Sequence, residues 1–254
     1  MTQGEGVPHL SLVVPAFNEE RRIQASLQRI GEFLVTLPYS AEVVVVDDGS
    51  ADAGRTAAQA GLEALPARLQ RQFRRHETNR GKGAAVRTGA LAASGRYVAF
   101  IDADLATPPE ELPSIVAALE AGADVAIGVR IQRDGSDMRD QRRLARRLAG
   151  RLFAWSMRRL LLPDVGDSQC PLKGFTRDAA RRLFPLQQID TWSFDAELLF
   201  MARKLKLTVA KIPVHWRAVP GSHLRLNLSS ARELYNLVLI RYRHRGLKPG
   251  PTAC

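Results

Sequence analysis

Residues Tyr97–Pro109 read YVAFIDADLATPP: an apolar run, two aspartates one residue apart, then a proline pair. The run Tyr97–Ile101 predicts a buried strand, and Pro108 and Pro109 ensure that it stops soon afterwards. Strand side chains alternate faces, so Asp102 and Asp104 would point the same way if the strand continued that far. Two carboxylates in one small volume repel, and one is driven toward neutrality unless a cation lies beside them. A divalent ion shared with a diphosphate removes that penalty, since Mg2+ commonly takes one or two carboxylates plus substrate phosphates. The purely structural alternative has Asp104 turning outward as a helix cap while Asp102 pairs with an arginine.

Working outward, the first half alternates strands and helices at short spacing. HLSLVV (9–14) reads as a strand, and a helical pattern follows through Ile23, Leu27, Ile30 and Leu34. EVVVVDDGS (42–50) is a second strand, with Asp52 placed to cap the next helix. A weaker strand lies near 69–75, and GKGAAVRTGALAASG (81–95) is helix-like. After the Tyr97 strand come a helix from about Glu110 to Ala121 and a strand, DVAIGV (124–129). Such alternation implies crossover connections and a mainly parallel sheet with helices on both faces. Ligands of such sheets bind beyond the carboxyl ends of the strands. Loops 15–20, 47–52 and 102–108 all fall on that edge.

The second half is less regular. A polar loop over 128–140 carries Arg130, Arg133 and Arg139, followed by a long helix candidate over 141–162. An irregular PDVGDSQCPLKGF precedes a helix beginning near Phe194, a strand LTVAKIPV, a loop to about Leu228 and a helix through Tyr242. With no repeat or low-complexity linker, the expectation is one α/β domain over residues 1–245. Its nucleotide-binding half spans about 9–129, its acceptor-binding half about 130–245, and 246–254 forms a tail.

Bulk composition narrows the function classes. Hydrophobic content of 45% and charged content of 25% are those of a soluble globular protein, and no apolar run reaches transmembrane length. The N-terminus lacks the basic start and apolar segment of a signal peptide. Cys170 and Cys254 offer neither a disulfide framework nor a zinc site, which points to the cytosol. A net charge of +11 calls for an anionic partner: nucleic acid, an anionic membrane or a phosphate-rich substrate.

The loops around the paired acids have both structural and chemical readings. Asp47-Asp48-Gly49-Ser50 allows a tight turn, and its acids can accept hydrogen bonds from a base edge or ribose hydroxyls. Pro15-Ala16-Phe17-Asn18-Glu19-Glu20 is a bend followed by an apolar ring and polar caps. Asn79-Arg80-Gly81-Lys82-Gly83 precedes a helix without the glycine spacing of the nucleotide-hydrolase phosphate loop, yet offers Arg80 and Lys82 to a diphosphate at a helix start.

In this order and spacing, these stretches resemble the family 2 glycosyltransferases of the GT-A fold, and within them the dolichyl-phosphate glucosyltransferases and related polyprenyl-phosphate sugar transferases. The matching segments are VVPAFNEERRI, VVVVDDGSADAG, NRGKGAAVRTGALAASGRYVAFIDADLATP, DSQCPLKGFTRDAA, WSFDAELL and IPVHWRAVPGS, spanning roughly residues 10–245. The resemblance implies that Pro15, Phe17 and Glu19 frame the nucleoside and that Asp48 meets the base or ribose. It makes Asp102 and Asp104 the metal-binding pair, for Mg2+ or Mn2+, with Asp104 the firmer ligand and Asp102 also near the ribose. Lys82 joins the nucleotide-sugar contacts, and Gln169 and Lys173 are a polar pair on the acceptor side. Asp195 takes the acid position at the head of a helix lining the acceptor. Arg130 and Arg133, with Lys173, would hold an acceptor phosphate. Two departures stand out. Ala106 occupies a position where some lipid-mannosyl relatives place a metal-binding Gln, and the eukaryotic glucosyl members carry an N-terminal anchor ahead of the first strand.

Between Arg139 and Arg159 there are eight arginines and one acid. At helical spacing Leu144, Leu148, Leu152 and Trp155 share one side, while Arg143, Arg146, Arg147, Arg151 and Arg158 share the other, with Arg159 as an exception. Such a helix suits an anionic bilayer surface, although its apolar stripe could equally pack on the domain. Arg241, Arg243 and Arg245 close a second apolar helix. Membrane association at the inner face accounts for the charge without nucleic acid, for which no recognition motif is present. The expected activity is inverting, metal-dependent transfer of a hexose from a nucleotide diphosphate sugar to a polyprenyl phosphate. Glucose on uridine diphosphate is what the resemblance implies, with mannose on guanosine diphosphate left open. The alternatives are a glycosyltransferase with a soluble hydroxyl acceptor, for which Asp195 would be the base, a sugar-phosphate nucleotidyltransferase, and a charge-driven adaptor without catalysis.

Overall fold

Strands β1 (Leu10–Ala16) and β2 (Ala41–Asp47) are buried along their whole length. Near-continuous aliphatic runs of this kind belong to parallel sheets covered on both faces. The computed structural model describes residues 6–130, 159, 161–162, 167–217, 219 and 228–248. Among these, β3 (Gln70–Arg75), β4 (Tyr97–Phe100), β5 (Val125–Val129), β6 (Lys173–Thr176) and β7 (Val209–Pro213) complete a seven-stranded sheet of order β3-β2-β1-β4-β6-β5-β7. All neighbours pair in parallel except β6, which runs antiparallel to both β4 and β5.

The helices are α1 (Ile23–Leu34), α2 (Gly54–Glu63), α3 (Lys82–Ala92), α4 (Leu112–Glu120), α5 (Arg177–Leu183), α6 (Phe194–Lys204) and α7 (Leu228–Arg243). Alternation along the strands sends Leu12, Val14, Val43 and Val45 into one core with α1, α2 and α4. Val13, Val44 and Val46 enter the other, with Phe100, Phe175, Phe184, Phe194 and the apolar faces of α3, α5, α6 and α7. The result is the layered α/β architecture of the GT-A fold. α3 lies unusually close to the sheet because Gly89 has no side chain: a Cβ there would sit 2.3 Å from Val13 Cγ1.

Three local outcomes differ from the sequence reading. β4 ends at Phe100, so neither acid of the pair belongs to the strand. The irregular stretch before Phe175 holds the start of β6, and α5 follows it directly. Asp52 is not the helix cap proper, but its Oδ1 accepts from Gly54 N at 2.8 Å. Arg133 and the basic helix expected over 141–162 lie outside the described residues, apart from positions 159, 161 and 162. The last six residues of the expected tail also lie outside them.

Cys170 is fully buried beside the sheet, and burial followed by the charge of Asp167 pushes its thiol up to about 11. Because the folded value exceeds the ordinary one, the thiol's stabilising share is complete below pH 9.0 and disappears as pH rises through about 11. Native protein at pH 8 should therefore leave Cys170 unmodified by iodoacetamide, with labelling only after denaturation. Peptide mapping that finds Cys170 alkylated in the native protein would contradict this burial.

Candidate active site

The carboxyl ends of β1, β2 and β4 bring three loops together. Pro15 is tolerated in a central strand because its nitrogen faces the β4 side, where pairing ends at Val13 with Phe100. Its ring is buried, so it shapes the loop without offering a surface to a nucleoside. Phe17, 39% exposed, does offer one. Asn18 takes a left-handed conformation (φ 54°), donates its N–H to Ser50 Oγ at 2.9 Å and accepts from Ala51 N through Oδ1 at 2.9 Å. Glu20 accepts from Ala53 N, while Asp52 accepts from Glu20 N. These reciprocal bonds make the first two loops one unit, beside which Glu19 pairs with Arg22.

Asp48 has a different role from the one expected. Its buried carboxylate accepts from Arg80 N at 3.0 Å, Gly81 N at 2.8 Å and Asn79 Nδ2 at 2.9 Å, and it lies 2.6 Å from His76 Nδ1. With its oxygens engaged internally, it builds the 79–81 loop instead of presenting an open acceptor to base or ribose. Gly81 (φ 110°) then leads into α3, and a Cβ there would lie 2.4 Å from the Asp190 carbonyl oxygen. That carbonyl accepts Gly83 N at 2.8 Å and Ala84 N at 3.3 Å. The first turn of α3 is therefore already capped by protein at Gly83 and Ala84.

What α3 does offer is Lys82. Its ammonium lies 2.6 Å from Asp102 Oδ1 and 5.0 Å from the centroid of Trp192. Asp102 and Asp104 occupy a turn just beyond β4, where Asp104 Oδ1 accepts from Ala106 N at 3.0 Å and Leu105 is left-handed. Opposite them, Asp195 at the head of α6 is paired with Lys173 of β6 at 2.8 Å, and Lys173 also donates to the Cys170 carbonyl at 2.7 Å. Lys173 is completely buried, so its partners are internal and it is not a surface contact for an acceptor phosphate. Arg130 is likewise committed. It meets Asp167 through N, Nε and Nη2 at 2.9, 2.7 and 2.6 Å, and its guanidinium stacks 5.4 Å from the Trp216 ring. Gln169 is half-buried, one residue from the carbonyl that receives Lys173.

Two strands and two helices thus aim Asp102, Asp104, Lys82, Asp195 and Lys173 at one edge of the sheet. A family model described as glycosyl transferase family 2 matches residues 11–184. The chain belongs to that family. It is 33% identical to a dolichyl-phosphate beta-glucosyltransferase of Dictyostelium discoideum, over 93% of this chain and 75% of that protein. The enzymes of the same name from Drosophila melanogaster and Homo sapiens are 35% and 32% identical, each covering 92% of this chain and 75% of the relative. Among solved structures, glucosyl-3-phosphoglycerate synthase from Mycobacterium tuberculosis, in complex with Mn2+, uridine diphosphate and glucosyl-3-phosphoglycerate, superposes with a TM-score of 0.66. That match has 21% identity and covers 96% of this chain and 82% of that one.

The electrostatics of this glycosyltransferase site are unbalanced toward acid. Burial, then the charge of Asp102, raise the pKa of Asp104, opposed by Lys82 and Arg22. Burial also raises Asp195, with Lys173 as the main opposing influence. Lys82 is raised by Asp102, Asp195 and Asp104, which outweigh its own desolvation. Three acids thus face two ammonium groups. No group of three or more metal-ligating His, Cys, Asp or Glu side chains converges among the described residues. Two hard carboxylates, one destabilised in its charged form, fit a divalent ion completed by phosphate oxygens.

Proposed function

We propose that this chain transfers glucose, with inversion, from UDP-glucose to a dolichyl or related polyprenyl phosphate at a membrane surface. The reading is carried by its likeness, over more than nine-tenths of its length, to the Dictyostelium enzyme bearing that activity in its name. An acceptor phosphate oxygen attacks the anomeric carbon opposite the departing nucleoside diphosphate. Since that oxygen is already ionised near neutral pH, no strong base is required. The burial of Asp195 against Lys173 agrees with a role in orienting the acceptor or sugar. Lys82 exchanges Asp102 for the incoming diphosphate, and Phe17 provides a face for the nucleoside. A Mg2+ or Mn2+ held by Asp104, with Asp102 beside it, would neutralise charge developing on the leaving diphosphate. Gln169 and Arg133 remain candidates for the acceptor phosphate.

The membrane is favoured by α7, where Tyr235, Val238 and Tyr242 are exposed along one stripe and basic residues Arg241, Arg243 and Arg245 adjoin it. No helix among the described residues is long and apolar enough to cross a bilayer. Peripheral attachment to the inner face of the membrane is the arrangement we propose. The test supplies radiolabelled UDP-glucose to the protein with dolichyl phosphate in vesicles. Label is expected in the organic extract, in amounts that depend on added Mg2+ or Mn2+. Label confined to water-soluble product would replace the lipid with a soluble acceptor, and release of pyrophosphate would point to nucleotidyl transfer.

A further inference from the structure

We propose that Glu197, held by His244, is a positioning residue that sets Lys82 and Asp195 relative to the acid pair; this rests on the glucosyl-transfer reading above. Glu197 lies two residues after Asp195 on α6 and is completely buried, yet it faces no substrate group assigned above. Its carboxylate accepts from Gln188 N at 3.0 Å and Ile189 N at 2.8 Å, and it lies 2.7 Å from His244 Nε2. A carboxylate only accepts, so Nε2 is the donor.

The segment gripped in this way is the one that caps α3. Gln187 Nε2 donates to the carbonyls of Gly83 and Ile189 at 2.9 and 3.0 Å, Arg87 donates to the Gln187 carbonyl, and the Asp190 carbonyl receives Gly83 N. Neither Gly81 nor Gly83 leaves room for even a methyl group against this segment. Lys82 lies between those glycines. A shift of residues 187–190 therefore moves the ammonium that serves Asp102. The same shift acts on Trp192, the ring beneath Lys82, whose neighbours Thr191 and Ser193 are bonded to Asn236 and Glu233 of α7. The C-terminal helix and His244 just beyond it thus reach the donor site through Glu197 and through the bonds to Thr191 and Ser193.

The test compares His244→Leu, His244→Gln and Glu197→Gln, measuring UDP affinity by calorimetry with Mn2+, kcat, and acceptor KM, all well below each melting temperature. For His244→Leu we expect roughly tenfold losses in UDP affinity and in kcat, with acceptor KM within about twofold of wild type. His244→Gln, which keeps a donor, should recover both to within about threefold, while Glu197→Gln should lose roughly 30-fold in kcat. A folded His244→Leu protein with wild-type UDP affinity and kcat overturns the proposal. So do equal losses in the Leu and Gln variants that merely track melting temperature. A wild type that binds UDP but gives no lipid product defeats the acceptor assignment alone, because UDP affinity still reads the position of Lys82.

Discussion

Asp104→Ala is expected to lower kcat by about three orders of magnitude, or roughly 4 kcal/mol of lost transition-state stabilisation, without unfolding the protein. The two halves of that result have separate causes. Activity falls because, on the proposed reading, Asp104 holds a divalent ion at the leaving diphosphate. Stability does not fall because the ionised carboxylate is itself disfavoured by burial and by Asp102. Its folded pKa lies above the ordinary 3.8, so its stabilising share is complete below that value and is lost as pH rises through the folded pKa. At neutral pH the alanine variant should thus melt no lower than wild type, offset only by the lost turn bond to Ala106. Kinetics with saturating Mn2+ and melting curves at pH 7 and pH 4 check each half. Activity within tenfold of wild type would remove Asp104 from the chemistry.

The second large effect is on stability. Lys173→Met should destabilise the fold by about 3–5 kcal/mol, because it leaves the Asp195 carboxylate buried without its cation. For a chain of this length that corresponds to a melting-temperature drop on the order of 10 °C. Losing Lys173 removes the main influence holding down the pKa of Asp195, so that pKa rises further. The deficit should accordingly be largest near neutral pH and shrink as pH falls and Asp195 takes up a proton. Lys173→Met with Asp195→Leu should regain most of the stability while remaining inactive, as coupled neighbours do. A single-variant deficit that is independent of pH and unrepaired in the double variant would show that the pair carries little of the effect. Had Lys173 faced the acceptor, the variant would have altered acceptor KM and left stability alone.

What the sequence made legible follows from range. β1, β2, β4 and β5 are runs of aliphatic residues with polar ends, and α1 keeps a three-to-four-residue rhythm through Ile23, Leu27, Ile30 and Leu34. Local periodicity suffices for such elements. β6 escaped because Lys-Gly-Phe-Thr has neither alternation nor length, and its lysine belongs inside because Asp195 of α6 and the Cys170 carbonyl meet it there. The acids at 102 and 104 stood out because charge at the end of an apolar run is visible in one dimension, whereas Asp195 was implied only by the family resemblance. The inward roles of Asp48, Arg130 and Glu197 were not, since they depend on distant partners: the 79–81 loop, Asp167 and His244. A buried charge and a catalytic charge look alike until their partners are known.

The Arg130–Asp167 clamp has a consequence for how this frame diversifies. The chain leaves the sheet just after β5 and returns shortly before β6, and three hydrogen bonds pin the exit to the re-entry. A span of 36 residues between them is thereby a closed cassette. Apart from Leu161 and Leu162, which pack into the core, its length and sequence can change at a modest loop-closure penalty while the strands keep their register. On the proposed reading, in which this stretch belongs to the acceptor side, new acceptors are acquired by rewriting it while the loops after β1, β2 and β4 stay unchanged.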